Sequence, residues 1–465
     1  MPGHRFPPEI VRAYDIRGTF GENLNDADAY YLGRAFATIV RRTSGRCVSV
    51  GRDGRTSSPI LEKALVRGLL DGGIDVFRIG VAPSPVLYYA CHHLPVDGGI
   101  VVTGSHNPKD MNGFKFVFGR EPLHGGAIQE LAQIAQSGEF TIGHGRSCDV
   151  DVTSRYLHEL VRTFSGSGSL HVAWDCGNGA TGPLVCRLAG ELSGRNDVLN
   201  AEVDGTFPNH HPDPSEPANL EQLVDHVIKH KCDLGVAFDG DGDRIGVVDD
   251  KGEIVWVDQI LSMFAKEILA IRPGAPIVAD IKCSQVLFEE IERLGGIPVM
   301  ARTGRPFIRE QMKQIDAPLA GEMSGHIFFA DRWYGFDDAL YAAIRLLSLI
   351  SAHGTSLSQI RQKFPVMCSM PEQRMPCDES LKGPIVEGVR RQLRNDKASF
   401  LEIDGVRVDT EDGWWLLRAS NTEPVLSARC EAKDMRSLAR IRRQMTAYLR
   451  QAAIGCSAGQ VTFAV

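Results

Sequence analysis

The chain is 465 residues long with a net charge of −7, yet it contains no block of like charge and no apolar run of membrane-spanning length. A spanning helix needs about 20 predominantly apolar residues in succession, so none is expected. Interleaved acidic and basic residues argue against a nucleic-acid groove, a membrane-surface patch or a charged tail. The eleven cysteines are scattered, odd in number and without Cys-x-x-Cys spacing, and the opening Met1-Pro2-Gly3-His4-Arg5-Phe6-Pro7-Pro8 has no apolar signal core. A reduced, cytoplasmic setting is expected. Three mechanistic signatures are also missing: the Gly-x-x-x-x-Gly-Lys-Ser/Thr loop, a Gly-x-Ser-x-Gly elbow at Ser105, and Gly-x-Gly-x-x-Gly after a first strand. Nucleotide-dependent kinase, esterase and Rossmann dehydrogenase readings lose their anchors.

What the chain does have is Asp239-Gly240-Asp241-Gly242-Asp243-Arg244. Carboxylates packed this closely repel one another unless a cation neutralises them. Leu234–Phe238 before the triplet and Ile245–Val248 after it are apolar and β-prone, which puts the carboxylates on a loop at a strand end, with alternate residues pointing the same way. No Cys or His joins the cluster, so a hard divalent cation such as Mg2+ suits it better than zinc. An EF-hand would need Gly at its sixth position, where Arg244 stands, and helices where strands are expected. A solvated acidic turn without a ligand is the plain alternative.

A second constellation is Gly98-Gly99-Ile100-Val101-Val102-Thr103-Gly104-Ser105-His106-Asn107-Pro108. An apolar strand enters a turn that Asn-Pro prevents from continuing, which presents Ser105 beside His106 as a nucleophile would be presented. Further on, Gly321-Glu322-Met323-Ser324-Gly325-His326 sets a carboxylate, a hydroxyl and an imidazole between glycines, a set able to bond neighbouring sugar hydroxyls. Arg418-Ala419-Ser420-Asn421-Thr422-Glu423-Pro424, with Arg429 on the next strand, offers a phosphate cradle. Taken singly, each of these is compatible with an ordinary polar turn.

A chain of this length exceeds one hydrophobic core and divides into several domains. A strand-to-helix unit recurs at Cys47–Gly51, His171–Trp174 and Pro276–Ala279, roughly 105 to 125 residues apart, which suggests three related α/β units. The last stretch differs, with a helix over about 379–395, short strands at Phe400–Ile403, Trp414–Leu417 and Val425–Ala428, and a basic amphipathic helix over about 435–451. The predicted domains are therefore 1–147, 148–252, 253–366 and 367–465, the first three α/β with mixed sheets and the last α+β.

In this order and spacing the four motifs strongly resemble the α-D-phosphohexomutases, most closely the bacterial phosphomannomutase/phosphoglucomutase branch. The resemblance spans essentially the whole chain, including Ala13-Tyr14-Asp15-Ile16-Arg17-Gly18 and Pro208-Asn209-His210-His211-Pro212-Asp213-Pro214. It implies a heart-shaped molecule whose domains each lend a loop to a central cleft. It also implies reversible interconversion of hexose 1-phosphate and hexose 6-phosphate, of mannose or glucose, through a phosphoserine and a 1,6-bisphosphate. By position, Ser105 carries the phosphoryl group, and Ser105, Asp239, Asp241 and Asp243 hold Mg2+. Arg244 steadies the phosphoryl oxygens, Arg17 and Lys115 assist proton transfer, and His106 supports the serine loop. Substrate contacts are implied for Tyr14, Lys282, Arg305, Glu322, Ser324, His326, Arg418, Ser420, Asn421, Thr422 and Arg429. Glucose 1,6-bisphosphate or mannose 1,6-bisphosphate is the implied activator, a phosphosugar the partner, and a monomer the expected state. One departure is Gly304-Arg305, where relatives in this branch usually carry Gly-His.

Phosphoglucosamine mutases share the serine and aspartate motifs but usually place Gln where Met323 sits, which favours the mannose/glucose branch. Two other readings remain open. A phosphatase could use Asp239 as nucleophile and Asp241 as acid, although this leaves Ser105 and the Arg418 cradle unexplained. A sugar-phosphate sensor with a retired site is disfavoured because every motif needed for transfer is intact.

Overall fold

In the computed structural model, residues 2–166, 170–420 and 424–455 are described. The chain divides into two compact units, Met1–Phe264 with Pro318–Gln362, and Ala265–Ala317 with Lys363–Val465.

The first unit contains two open mixed sheets. One has seven strands in the order Ile16–Thr19, Met111–Phe118, Gly98–Val102, Cys47–Arg52, Asp75–Val81, Ser147–Asp149, with Glu121–Pro122 paired to Met111–Phe118. Helices Asp26–Arg42 and Ser58–Asp71 cover it with every-fourth-residue stripes, Leu32, Phe36 and Val40 from one and Leu61, Leu65 and Leu69 from the other, which share a core with Val48, Val50, Ile100, Phe114 and Phe116. Asn25 starts the first of these helices with a reciprocal capping box, a feature worth about 1 kcal/mol. Because side chains alternate across a strand, placing Phe114 and Phe116 in the core turns Lys115 to the opposite face.

The other sheet runs Ile254–Val255, Ile245–Asp249, Leu234–Phe238, His171–Asp175, Arg195–Leu199. Leu234–Phe238 and Ile245–Asp249 form an antiparallel hairpin closed by the pair Phe238 and Ile245. The acidic motif is therefore the hairpin turn itself, carried on two fully buried strands. A short hairpin, Leu319–Gly321 with Ile327–Phe329, and the buried helix Ala339–His353 also belong to this unit.

The second unit pairs Pro276–Asp280 in parallel with Ile297–Ala301, each followed by a helix, Gln285–Arg293 and Arg305–Ile315. Its other part is an antiparallel sheet ordered Cys368–Pro376, Val425–Ala432, Gly413–Ala419, Val406–Thr410, packed against helices Glu379–Asn395 and Met435–Gly455. The predicted strand at Phe400–Ile403 is not formed. Leu401 makes one isolated bridge to Arg407, and the core positions go instead to Val406 and Val408. Cys368–Pro376 was not anticipated as a strand, since its prolines and charges hide the β pattern that a sheet edge tolerates. Among the described residues no helix is long and apolar enough to cross a membrane.

Candidate active site

Ser105 sits just beyond strand Gly98–Val102 with φ 50°, a left-handed conformation uncommon for a residue with a side chain. Held this way, Ser105 Oγ donates to Asp239 Oδ2 at 2.7 Å and lies 3.2 Å from His106 Nδ1. Arg55 secures the turn from beneath. Its guanidinium donates to the carbonyls of Ser105 (2.7 Å), Asn107 (2.6 Å), Met111 (2.9 Å) and Pro108. Asp53 pairs with Arg55 at 3.2 Å and accepts from the Gly104 amide at 3.0 Å, while Phe207 lies under the guanidinium. Strand Ile16–Thr19 places Arg17 nearby, where it donates to Asn107 Oδ1 at 2.5 Å and Asp15 Oδ2 at 2.6 Å. Tyr14 lies half-buried two residues ahead of that strand.

Asp239, Asp241 and Asp243 are fully buried. The glycines between them have separate causes. A Cβ on Gly240 would come within 2.5 Å of the Ser105 carbonyl oxygen, and Gly242 has φ 72°. The serine turn and the acidic turn can therefore meet only at glycine. Lys115 Nζ donates to Asp241 Oδ2 at 2.6 Å and Asp243 Oδ2 at 2.5 Å, and Ser84 Oγ adds a 2.5 Å bond to Asp241 Oδ2. Asp239 Oδ1 accepts from the amides of Asp243 (3.1 Å) and Arg244 (3.2 Å). Burial, then the charges of Asp241 and Asp243, push the Asp239 carboxyl well above the usual carboxylate range. Burial and Asp243 also push Asp241 upward, but the Lys115 ammonium and the Ser84 hydroxyl outweigh them and hold it down. Added positive charge removes the Asp239 penalty. A hard divalent cation fits this donor set, because it is all oxygen and Asp241 Oδ1 is buried with no hydrogen-bond partner among the described residues.

The Gly321–His326 loop joins the acidic turn within the same unit. Ser324 Oγ donates to Glu322 Oε2 at 3.0 Å and lies 3.1 Å from His326 Nδ1, while His326 Nε2 is 3.2 Å from Asp243 Oδ1. Burial alone would lower the imidazole pKa, but Asp243 and Glu322 raise it to about 9. Arg244 is 3.9 Å from Asp213 of the Pro208–Pro214 loop.

The second unit holds the remaining cations on acidic side chains and a backbone carbonyl. Arg418 Nε donates to Asp404 Oδ2 at 2.8 Å, Lys282 Nζ to Glu372 Oε2 at 3.3 Å, and Arg429 Nη1 to the Lys282 carbonyl at 2.5 Å. The Ser420 carbonyl accepts from Lys382 Nζ at 2.7 Å. Arg305, buried, is the first residue of helix Arg305–Ile315. Asn421 and Thr422 lie outside the described residues.

Burial would raise the Glu372 pKa, but Lys282 and then the Ser427 hydroxyl pull it from the ordinary 4.5 down to about 2. Its stabilisation is complete above the ordinary value and is lost as the pH falls toward the depressed one. The unfolding free energy, followed by urea titration from about pH 6 to pH 3, is expected to fall more steeply for the wild type than for Glu372→Gln, by about 1–3 kcal/mol over that range. Equal slopes would remove this pair as a source of acid sensitivity.

Sequence reasoning passed over Arg55, Ser84, Asp404 and Glu372 as site residues. Arg55 did carry a signal, since Arg52-Asp53-Gly54-Arg55-Thr56 is a charged loop directly after a strand. The other three stand at a helix start, in a bend and on a strand, and gain meaning only from their partners.

Models of the phosphoglucomutase/phosphomannomutase domains match the chain four times: α/β/α domain I at residues 8–141, domain II at 154–252, domain III at 256–367 and the C-terminal domain at 373–447. The chain is 44% identical over 436 residues to a phosphomannomutase/phosphoglucomutase of Pseudomonas aeruginosa, covering 94% of each. It is 40% identical over 445 residues to a phosphoglucomutase of Neisseria gonorrhoeae, covering 95% of this chain and 96% of the relative. A crystal structure of a phosphoglucomutase/phosphomannomutase family protein from Burkholderia thailandensis superposes with a TM-score of 0.91 at 40% identity, over 96% of this chain and 98% of that one.

Proposed function

The chain belongs to the phosphoglucomutase/phosphomannomutase family and is a mutase interconverting hexose 1-phosphates and hexose 6-phosphates, and from that premise we propose that Ser105 is the residue through which the phosphoryl group passes. The observation that carries this reading is the left-handed Ser105 turn, pinned by Arg55 and aimed at Asp239.

Phospho-Ser105 transfers its phosphoryl group to the free hydroxyl of a hexose 1-phosphate. The P–O bond to Ser105 breaks as the one to the sugar forms, and the hydroxyl proton leaves through the Arg17 and Lys115 side of the site. The resulting 1,6-bisphosphate turns end for end and returns its other phosphate to Ser105. Asp239, Asp241, Asp243 and the phosphorylated Ser105 would hold Mg2+, which when bound supplies positive charge to the phosphoryl oxygens as the bond loosens. Arg244 steadies those same oxygens, and His106 keeps the Ser105 side chain oriented. Glu322 and Ser324 bond the O3 and O4 hydroxyls, which nearly exchange places when the ring turns over, and His326 ties their loop to Asp243. Contacts of this kind do not read C2, so mannose and glucose are both accepted. The phosphate that is not reacting is assigned to Arg418, Ser420, Asn421, Thr422 and Arg429, with Lys282 and Arg305 as further cations and Tyr14 as a further substrate contact. Glucose 1,6-bisphosphate or mannose 1,6-bisphosphate primes the serine. The enzyme is read as a cytoplasmic monomer.

A phosphorus NMR time course of mannose 1-phosphate with enzyme, Mg2+ and a trace of glucose 1,6-bisphosphate tests this directly. Growth of the 6-phosphate signal that depends on the primer supports the reading. Release of inorganic phosphate alone would point to an aspartate nucleophile, and no change with mannose 1-phosphate but turnover of glucosamine 1-phosphate would move the specificity.

Asp241→Asn preserves size but removes the charge opposite Lys115. Turnover is expected to fall by about 100-fold or more and the Mg2+ concentration for half-maximal rate to rise by about tenfold or more. Activity that persists in wild type under excess chelator would exclude the metal.

A further inference from the structure

Away from the catalytic loops, the open edge of the second sheet collects metal-ligating side chains from separate elements. His171 opens strand His171–Asp175, and Asp197 lies on the edge strand Arg195–Leu199, paired in parallel with Ala173 opposite Asp197. Alternation puts His171 and Asp197 on one face. Helix Glu221–His230 covers that face by packing Leu223 and Val227 against Ala173 and Cys232. Its His226 and His230 are one turn apart with stacked rings, and left-handed Lys231 ends the helix and leads into Cys232.

These side chains converge on one carboxylate. His171 Nε2 is 2.8 Å and His226 Nε2 3.1 Å from the same atom, Asp197 Oδ2, and Cys232 Sγ is 3.5 Å from His171 Nε2. Two triads share Asp197, one with His171 and Cys232 and one with His226 and His230, and within each the ligand atoms lie within 4.8 Å of one another. A tetrahedral zinc with bonds of about 2.0–2.3 Å sets its ligands about 3.3–3.7 Å apart. The Asp197–His171, Asp197–His226 and His171–Cys232 separations lie within about 0.5 Å of these values, while His226, which shares a triad with Asp197 but not with His171 or Cys232, has to swing about its side-chain torsions to reach the fourth position. Arg195 contacts Asp197 mainly through Oδ1, at 3.2 Å, and more weakly at Oδ2, at 3.4 Å; its side chain is exposed and can move aside.

We propose that His171, Asp197, Cys232 and His226 bind a Zn2+ ion that clamps helix Glu221–His230 to the edge of the sheet, with His230 backing His226. Imidazole, carboxylate and thiolate together select a transition metal rather than Mg2+, and four protein ligands make the site structural. Forming the Zn–S bond breaks the Cys232 S–H bond and releases one proton to solvent.

The test uses the full chain, free of any histidine tag, in saturating Mg2+ and titrated with Co2+ as a spectroscopic substitute for zinc. About one equivalent is expected to bind with a thiolate-to-cobalt charge-transfer band that Zn2+ bleaches. Cys232→Ser should abolish the band, and Asp197→Asn and His226→Ala should each weaken Co2+ binding by about tenfold or more, with Mg2+-dependent turnover unchanged. Zn2+ should also raise the thermal midpoint of the wild type and not that of Asp197→Asn. No Co2+ binding in the presence of Mg2+, a spectrum without thiolate character, or equal Zn2+ stabilisation of Asp197→Asn would each overturn the site and leave the cluster a hydrogen-bond network only.

Discussion

Ser105→Ala is expected to lower mutase turnover by about 1,000-fold or more, while its unfolding midpoint in urea stays close to that of the wild type. The Ser105 hydroxyl touches Asp239 and His106 and little else, so its removal costs at most about 1 kcal/mol of stability. Alanine meets the same left-handed backbone that serine does, with a Cβ in either case. The loss should therefore appear in chemistry and not in folding. Mass spectrometry after incubation with glucose 1,6-bisphosphate should find one phosphoryl group on the wild type, located at Ser105, and none on the variant. Full activity in the variant, or phosphorylation at another residue, would sink the assignment.

Arg55→Ala should have the largest effect on stability of any single change in the site. The side chain is fully buried and bonds the carbonyls of Ser105, Asn107, Pro108 and Met111, so truncation removes the guanidinium donor from all four, of which Pro108 keeps the Met111 amide. At about 1–3 kcal/mol for each unsatisfied buried group, partly relieved by entering water, a loss of about 4 kcal/mol or more is expected. Asp53 also loses its charge partner. Arg55→Lys should recover part of the stability but little turnover, because an ammonium on a flexible stem cannot reproduce a planar fork that reaches carbonyls in different directions. Urea unfolding measures the first effect and the primed mutase assay the second. A Lys variant with wild-type turnover would show that the charge of Arg55 matters and its geometry does not.

Ser105 was legible in the sequence and Arg55 was not. The acidic triplet could be placed at a strand end because the runs on either side of it are apolar and β-prone, and the structure has it as the turn of that hairpin. The display of Ser105 was likewise legible from an apolar strand running into Asn107-Pro108. The terminal helices followed from periodicity and were met at Glu379–Asn395 and Met435–Gly455. Strand placement in the last domain was less legible. Phe400–Ile403 alternates as a strand should, but Leu401 and Ile403 end at 38% exposure each, because Val406 and Val408 fill the core face in their place.

The sequence by itself determined what is local: the strands that flank each loop, the glycines that let carboxylates crowd together, the proline that stops the serine turn, and through their order the family. Only the tertiary structure decided the couplings across long stretches of chain. Arg55 reaches the serine loop because parallel strands Cys47–Arg52 and Gly98–Val102 end side by side. Lys115 meets Asp241 and Asp243 because Phe114 and Phe116 claim the core and turn it outward. His171, Asp197, His226 and Cys232 converge because a helix is laid over a sheet edge. Each of these depends on which elements pack together, and packing is settled by burial summed over a whole core, a quantity that no short window of sequence contains.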